Sequence, residues 1–225
     1  MKHKPGLCPG LFFRLPVLER AWQTMTDFLP FAPAAARNVT AILPVLSEYL
    51  PRAGRVLELG AGTGQHAEIF ARAFSALDWL PTDLVPALPG LRARQERSGL
   101  ENLQPPQALD VRAAQEWPQG PFAAAYSANT THIMAWASVQ AMFAGLGRSL
   151  EHAAPFFLYG PFQRNGAHTA PSNARFHAAL RAQDPQQGLR DLTALESEAR
   201  RHQMILSELV PMPANNFMVI FRYEQ

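Results

Sequence analysis

The sequence feature that most constrains the fold is a glycine-rich turn that follows an apolar strand without a break, at residues 55–66. Glycines at alternate positions of this turn let the backbone take positive φ angles and approach a ligand closely. A helix that starts after Gly64 would point its free N–H groups toward the same space. Turns that bind dinucleotides need a third glycine three positions after the second, where this chain has Gln65. The spacing therefore disfavours NAD and favours a ligand without a pyrophosphate.

Two further carboxylates follow predicted strands. A second strand at 77–83 ends in Asp83, which lies 19 positions after Gly64. In a βαβ unit about 20 positions separate the turn from an acidic side chain at the ribose, and one carboxylate accepts both hydrogen bonds of a ribose diol. Another strand ends at Asp110, and Glu58 heads the turn itself. Three carboxylates at successive strand ends indicate a nucleotide-binding corner more specifically than any one of them does.

The rest of the chain alternates short apolar runs with amphipathic stretches, which predicts a parallel sheet with helices on both faces. Helices are predicted over 35–49, 65–74, 87–97, 138–150, 173–182 and 192–202, and strands over 103–109, 122–128, 155–159, 204–210 and 217–223. A long polar loop is predicted over 160–172. In such a sheet the named motifs lie at the carboxyl ends of the strands, where ligands bind.

The turn at 58–64 resembles motif I of the class I S-adenosylmethionine-dependent methyltransferases. Segments along nearly the whole chain resemble, in order, those of the DUF938 family, also called methyltransferase-like protein 26. They lie at 34–38, 57–66, 126–129 with 132–133, 158–162, 171–173, 188–191 and 212–216. The resemblance implies one class I methyltransferase-like domain over 31–225. Its implied fold is α/β, a Rossmann-like, doubly wound, seven-stranded sheet that is mostly parallel with an antiparallel last strand.

The resemblance also implies a site for S-adenosylmethionine. In this pattern the turn contacts the methionine part of the cofactor, Asp83 accepts hydrogen bonds from the ribose, and Asp110 accepts one from the adenine amino group. The residues expected to bind the cofactor are Arg37, Asn38, Glu58, Gly60, Gly62, Gly64, His66, Asp83, Asp110, Val111 and Ser127.

For several of these residues an ordinary structural role is an open alternative. Glu58 could bond to a backbone N–H of the turn, while Asp83 and Asp110 could cap the segments that follow them. His66 would face either the cofactor carboxylate or solvent. Arg37 could form a surface ion pair instead of binding that carboxylate.

The catalytic residues are expected after the fourth strand, since in the resembled fold this strand ends beneath the transferable methyl group. His132 is the candidate base, and Asn129 and Tyr159 are expected to orient the acceptor. The alternative for His132 is a histidine of the hydrophobic core, and the alternative for Tyr159 is a half-buried aromatic residue whose hydroxyl reaches solvent. The loop at 160–172 is expected to fold over the site as a lid and to determine the choice of acceptor.

The expected activity is methyl transfer to a small molecule. Residues 127–130 read Ser-Ala-Asn-Thr where amino-methylases of adenine and glutamine carry an Asn-Pro-Pro-Tyr type motif, and no cluster has metal-ligand spacing, so no metal is expected. A binding module with a methyltransferase fold but no catalysis is the alternative. A nicotinamide-dependent oxidoreductase is disfavoured by Gln65 and by the lack of a Tyr-x-x-x-Lys pair.

Composition limits the partners and the compartment. The formal charge is +2 and the arginines are scattered, so no nucleic-acid partner is expected. A single cysteine, Cys8, favours a reducing compartment and hence a cytoplasmic location. Arg14 and Pro16 interrupt an early apolar run that is too short to cross a bilayer, so no membrane association is expected. Residues 1–30 are expected to be a poorly ordered or non-native extension, with Met25 as the start of translation.

Overall fold

The computed structural model describes residues 29–224. The expected extension at 1–30, apart from its last two residues, and the expected start at Met25 lie outside this range. Six α-helices are described: α1 (Pro33–Tyr49), α2 (Gln65–Ala73), α3 (Leu88–Ser98), α4 (Trp136–Ser149), α5 (Pro171–Gln183) and α6 (Leu192–Arg201). The strands are β1 (Gly54–Leu59), β2 (Leu77–Asp83), β3 (Gln107–Ala108), β4 (Ala124–Ala128), β5 (Pro155–Gly160), β6 (Gln163–Arg164), β7 (Ala167–His168), β8 (Met204–Met212) and β9 (Asn216–Tyr223).

Seven of these strands form one sheet in the order β3-β2-β1-β4-β5-β9-β8. Strands β1 to β5 pair in parallel, whereas β9 is antiparallel to both β5 and β8. The predicted fold is therefore confirmed, including the antiparallel last strand. The order reverses between β1 and β4, so the carboxyl ends of these two strands flank the point where ligands bind in open α/β sheets.

Helices cover both faces of the sheet, and each face has its own hydrophobic core. On one face α1 and α2 pack over a core that includes Ile42, Phe70, Trp79, Tyr126 and Phe157. On the other face α4 and α6 pack over Leu57, Phe143, Phe156, Leu195 and Phe221. Because side chains alternate along a strand, neighbouring residues of β1 and β4 lie on opposite faces. This alternation decides which motif side chains reach the ligand-binding edge.

Two segments differ from the sequence-based expectation. The strand predicted at 103–109 is reduced to Gln107–Ala108, with Leu103 joined to β2 only through an isolated bridge to Trp79. Pro105 and Pro106 interrupt it because proline has no N–H to donate to a neighbouring strand. The loop predicted at 160–172 contains a short antiparallel hairpin, β6–β7. Within residues 29–224, every helix is too short or too polar to cross a membrane.

Candidate functional site

A cavity of about 530 Å³ opens at the carboxyl edge of the sheet, beside the ends of β1, β2 and β4. Its volume lies within the range of small-molecule sites, about 300–1,000 Å³. Six of the predicted site residues line it: Gly60, Gly62, Asp83, Asp110, Val111 and Asn129. The cavity is also lined by Leu59, Thr82, Leu84, Leu109, Arg112, Ala128, Thr130, Ile133, Met134, Ala135 and Ser138. The structure thus brings together residues from four successive strand ends.

The three glycines of the turn have different structural roles. All three have positive φ angles, which glycine adopts at little cost. A Cβ at Gly60 would lie 2.5 Å from Cγ2 of Thr130, and one at Gly64 would lie 2.8 Å from Cδ2 of Leu91. A Cβ at Gly62 would meet no atom within 4 Å. Gly60 and Gly64 therefore allow close packing, whereas Gly62 leaves its backbone open to the cavity.

Asp83 connects the turn to the end of β2. Its Oδ2 accepts a 2.7 Å hydrogen bond from the backbone N–H of Gly62, and its Oδ1 accepts one of 2.7 Å from the N–H of Leu84. A carboxylate offers about four acceptor positions, so these two bonds leave a lone pair on each oxygen. The Asp83 carboxylate is thus held in place and still able to accept two further donors from the cavity.

Asp110 combines a turn-capping role with a place at the cavity. Its carboxylate accepts from the backbone N–H of Arg112 at 3.0 Å and from Nε and Nη2 of the same arginine at 3.1 and 2.7 Å. These hydrogen bonds lower the pKa of Asp110, so the side chain is ionised at neutral pH. Solvent reaches the pair, which limits its contribution to stability.

Glu58 lies away from the cavity. Its side chain points to the face covered by α1 and α2, where it is 2% exposed and accepts a 2.7 Å hydrogen bond from Nε1 of Trp79. Burial raises the pKa of Glu58 to about 8, so the carboxyl group is mostly protonated at neutral pH. Instead of heading the ligand site, Glu58 fastens β1 to β2 below it.

His66 is buried on the same face, where it is 6% exposed, and it does not line the cavity. Its Nε2 lies 3.1 Å from the carbonyl oxygen of Ala35, and its Nδ1 lies 3.1 Å from the hydroxyl of Tyr126. Burial lowers the pKa of His66 to about 4, so the ring is neutral. A neutral ring that donates from Nε2 and accepts at Nδ1 satisfies both contacts. The histidine thereby ties α1 to α2 and β4.

The other predicted cofactor residues also lie outside the cavity lining. Ser127 is fully buried, donates to the carbonyl oxygen of Leu59 at 2.9 Å and contacts Oγ1 of Thr130 at 2.7 Å. These bonds hold Leu59 and Thr130, which line the cavity, in place. Arg37 is exposed and Asn38 is half-buried on α1.

Of the three predicted catalytic residues, only Asn129 lines the cavity. Its φ of +59° is unusual for a residue with a side chain, and its N–H donates to the carbonyl oxygen of Tyr159 at 2.8 Å. The Tyr159 ring itself is buried on the α1 and α2 face, where its hydroxyl bonds to Asn216. Tyr159 therefore meets the site through its backbone.

His132 lies behind the cavity wall. It is 5% exposed, and its ring makes an edge-to-face contact with Phe176 of α5 at 5.2 Å between centroids. Burial, with a smaller effect of the Arg190 charge, lowers the pKa of His132 to about 4. The imidazole is therefore neutral at physiological pH and has one nitrogen that can accept a proton.

Two arginines that the sequence analysis did not single out hold the site together. Arg190 donates from Nε to the carbonyl oxygen of Thr131 at 2.9 Å and from Nη2 to that of Met134. Arg94 is 8% exposed, and donates to the carbonyl oxygens of Thr63 at 2.6 Å and Pro30 at 2.7 Å. Arg190 therefore holds the loop after β4, and Arg94 holds the glycine turn. The only sequence signal for Arg190 was its place in the segment at 188–191.

The cavity-lining residues that the sequence analysis missed are mostly apolar. Ile133, Met134 and Ala135 lie in the loop between β4 and α4, and Leu84 directly follows β2. Their sequence signal was a position after a strand end, which predicts polar and apolar lining residues alike. Among residues 29–224 no group of three or more histidine, cysteine or acidic side chains is placed to hold a metal ion.

Comparison with known families gives one match over most of the chain. The model of a family described as "Protein of unknown function (DUF938)" matches residues 29–223. The matched region contains every cavity-lining residue, so the cavity lies wholly within the part of the chain that the family shares.

The solved structures that are similar in fold to this chain include methyltransferases. An S-adenosylmethionine-dependent methyltransferase, SibL, in its apo form has a TM-score of 0.66 and 18% identity, over 97% of this chain and 60% of its own. PigF with SAH has a TM-score of 0.69 and 13% identity, over 92% and 61%. An O-methyltransferase family 2 protein from Planctomyces limnophilus, in complex with apigenin, has a TM-score of 0.69 and 14% identity, over 89% and 61%. The chain spans about 60% of the length of these structures, and identities this low show a shared fold.

Proposed function

Because the chain belongs to the DUF938 family, whose description assigns no activity, we propose its function from the site: an S-adenosylmethionine-dependent methyltransferase that acts on a small molecule. The observation that carries the proposal is the Asp83 carboxylate, bonded to Gly62 of the glycine turn and still able to accept two donors from the cavity. The methyltransferase fold of the solved neighbours, one of them holding SAH, supports the same choice.

The cavity offers complementary surfaces for each part of this cofactor. The open backbone at Gly62 suits the methionine part, and Asp83 suits the ribose diol. Asp110 and Val111 would lie at the adenine, with Asp110 as the acceptor for its amino group. Apolar contacts from Leu84 and Met134 would cover the flat faces of the base.

The chain's own task in the transfer is to align the acceptor, exclude water and remove one proton. When bound, the cofactor would supply a methyl group that is already activated by its positively charged sulfur, and this sulfur would be the leaving group. His132 is the proposed base because its buried ring is neutral and lies just behind Asn129, which would orient the acceptor. Tyr159 would contribute by holding the backbone of Asn129.

The hairpin segment at 160–172 is the proposed lid. It follows β5 at the ligand-binding edge, and Gln163 is joined by backbone hydrogen bonding to Arg190, the residue that clamps the loop after β4. A segment connected to that loop is well placed to respond to an acceptor beside it.

The proposal is tested by calorimetric titration of the wild-type protein and of an Asp83→Ala variant, each with S-adenosylhomocysteine and with NAD. Binding of S-adenosylhomocysteine alone, weakened by the substitution, is the expected result. If it does not bind to the folded wild-type protein, the proposed function is wrong.

A second candidate is a binding module without catalysis. One observation favours it: His132 is 5% exposed beneath Phe176 and does not line the cavity. Transfer of tritiated methyl groups from S-adenosylmethionine to any component of a metabolite extract would exclude this alternative.

A further inference from the structure

We propose that the acceptor site lies between Gly160, the loop at 129–133 and α5, and that it takes a flat molecule with one hydroxyl or amine group. This inference rests on the proposed methyltransferase function. It adds where the second substrate binds and to which chemical class it belongs.

The first observation is a convergence of side chains at the carboxyl end of β5. A Cβ at Gly160 would lie 3.7 Å from Oδ1 of Asn129, 3.8 Å from Cζ of Phe162 and 3.9 Å from Nδ1 of His132. Gly160 is not among the glycines with a positive φ, so the backbone does not require glycine here. The absent side chain leaves a small space bounded by an amide oxygen, an imidazole nitrogen and the edge of an aromatic ring.

The polar atoms around this space select a hydrogen-bond donor. The amide oxygen of Asn129 is an acceptor, and a neutral imidazole accepts at one of its nitrogens. An acceptor molecule must therefore bring an O–H or N–H, which is the group that a base has to deprotonate during methyl transfer. A molecule without such a donor would leave both atoms unpaired on binding.

The surroundings of the space select an apolar body. Phe176 lies edge-to-face on His132 and is nevertheless 40% exposed, and Ile133 is 54% exposed while it also lines the cofactor cavity. Both side chains adjoin His132, Phe176 through the ring contact and Ile133 as the next residue, and they offer exposed apolar surface to the body of a ligand. A ring stacked against Phe176 would reach the cavity past Ile133, with its donor group at Gly160.

The test measures binding of 2-naphthol by equilibrium dialysis against protein saturated with S-adenosylhomocysteine. The comparison ligand is 2-methoxynaphthalene, which has the same rings but no donor. Phe176→Ala removes the apolar wall. Gly160→Ala fills the space with a methyl group whose contacts are all of ordinary van der Waals length, so this variant should fold. Ile205→Ala, at an exposed apolar residue of β8, is the matched control.

We expect 2-naphthol to bind at least about tenfold more tightly than 2-methoxynaphthalene. Phe176→Ala and Gly160→Ala should each weaken 2-naphthol about tenfold and leave S-adenosylhomocysteine affinity unchanged, whereas Ile205→Ala should change neither. If S-adenosylhomocysteine binds, three results overturn this inference alone. They are no binding of 2-naphthol, equal binding of the two naphthalenes, or 2-naphthol binding that neither Phe176→Ala nor Gly160→Ala weakens. Absence of S-adenosylhomocysteine binding overturns the proposed function and this inference together.

Discussion

The carboxylate of Asp83 accepts a 2.7 Å hydrogen bond from the backbone N–H of Gly62. This contact joins the end of β2 to the turn after β1, the two parts of the chain that would meet the ribose and the methionine part of the cofactor. One side chain thus shapes the turn and offers the polar contact, and its loss should affect both.

Asp83→Asn should weaken the binding of S-adenosylhomocysteine by about tenfold to a hundredfold. Hydrogen bonds to a charged group contribute about 1.5–3 kcal/mol, and the amide supplies fewer acceptor positions than the carboxylate. Calorimetry measures the effect. Asp78→Asn, at an exposed carboxylate of the same strand, is the control and should bind normally. Equal affinities for the two variants would contradict the ribose contact.

The glycine turn allows a matched pair of substitutions. Gly60→Ala would put a methyl group 2.5 Å from Thr130 and should destabilise the fold, whereas Gly62→Ala meets no atom and should lose only about 1 kcal/mol to backbone strain. Denaturant unfolding separates the two variants. The Gly62 variant should stay folded yet bind S-adenosylhomocysteine more weakly, because its methyl group enters the cavity. A Gly60 variant as stable as the wild type would refute the packing role.

Much of this site was predictable from sequence because strand ends recur at one edge of a parallel sheet. The apolar run before Gly60, the acidic ends at Asp83 and Asp110, and Asn129 after β4 all reach the cavity as the sequence predicts. Each of these residues either follows its strand or occupies its last position. Position along the chain was therefore enough to bring them together.

Three of the predicted residues that do not reach the cavity, Glu58, Ser127 and Tyr159, are the next-to-last residues of their strands, so the face of the sheet decides where their side chains lie. Glu58 and Tyr159 point to the α1 and α2 face, and the partner of Glu58 is Trp79, 21 positions away on β2. The start of α2 also turns His66 toward Tyr126. Sequence alone does not fix these long-range partners, because they depend on how helices pack over the sheet.

Arg190→Ala should loosen the loop after β4, since that loop is held through the carbonyl oxygens of Thr131 and Met134. Amide hydrogen exchange at residues 130–135 should accelerate by at least about tenfold, and addition of guanidinium at low millimolar concentration should partly reverse the effect. Arg148→Ala is the control because, among residues 29–224, the hydrogen bond of this arginine stays within its own helix, to the carbonyl oxygen of Ala144. Unchanged exchange in the Arg190 variant would show that the clamp is dispensable.

His132 should determine the acidic limb of the activity profile. With its pKa lowered to about 4, the ring is free to accept a proton throughout the physiological range. We expect kcat/KM to be flat between pH 6 and 8 and to fall only as the pH approaches 4, and His132→Ala to lower kcat by about 10²–10⁴-fold. Circular dichroism at each pH distinguishes loss of the base from unfolding. A limb centred near pH 6.5, or full turnover of the variant, would exclude His132 as the base.

Glu58 should make the protein less stable as the pH rises through neutrality. Its folded pKa is raised from 4.5 to about 8 by burial, so the folded state keeps a proton that the unfolded state has released. This stabilisation is complete below pH 4.5 and is lost as the pH rises through about 8. His66 and His132, whose pKa values are lowered to about 4, act instead between pH 4 and 6.5, and His177, whose pKa is also lowered, acts below pH 6.5.

The interval from pH 6.5 to 8 therefore isolates Glu58. Across it the free energy of unfolding of the wild type should fall by about 2 kcal/mol, since one proton per molecule corresponds to about 1.36 kcal/mol per pH unit. Glu58→Gln keeps an acceptor for the indole N–H of Trp79 but has no proton to lose, so its stability should be level over the same interval. Urea titrations at four pH values measure both slopes. Parallel slopes would mean that Glu58 is already ionised in the folded protein, and its burial against Trp79 would then have to be stabilised by another charge.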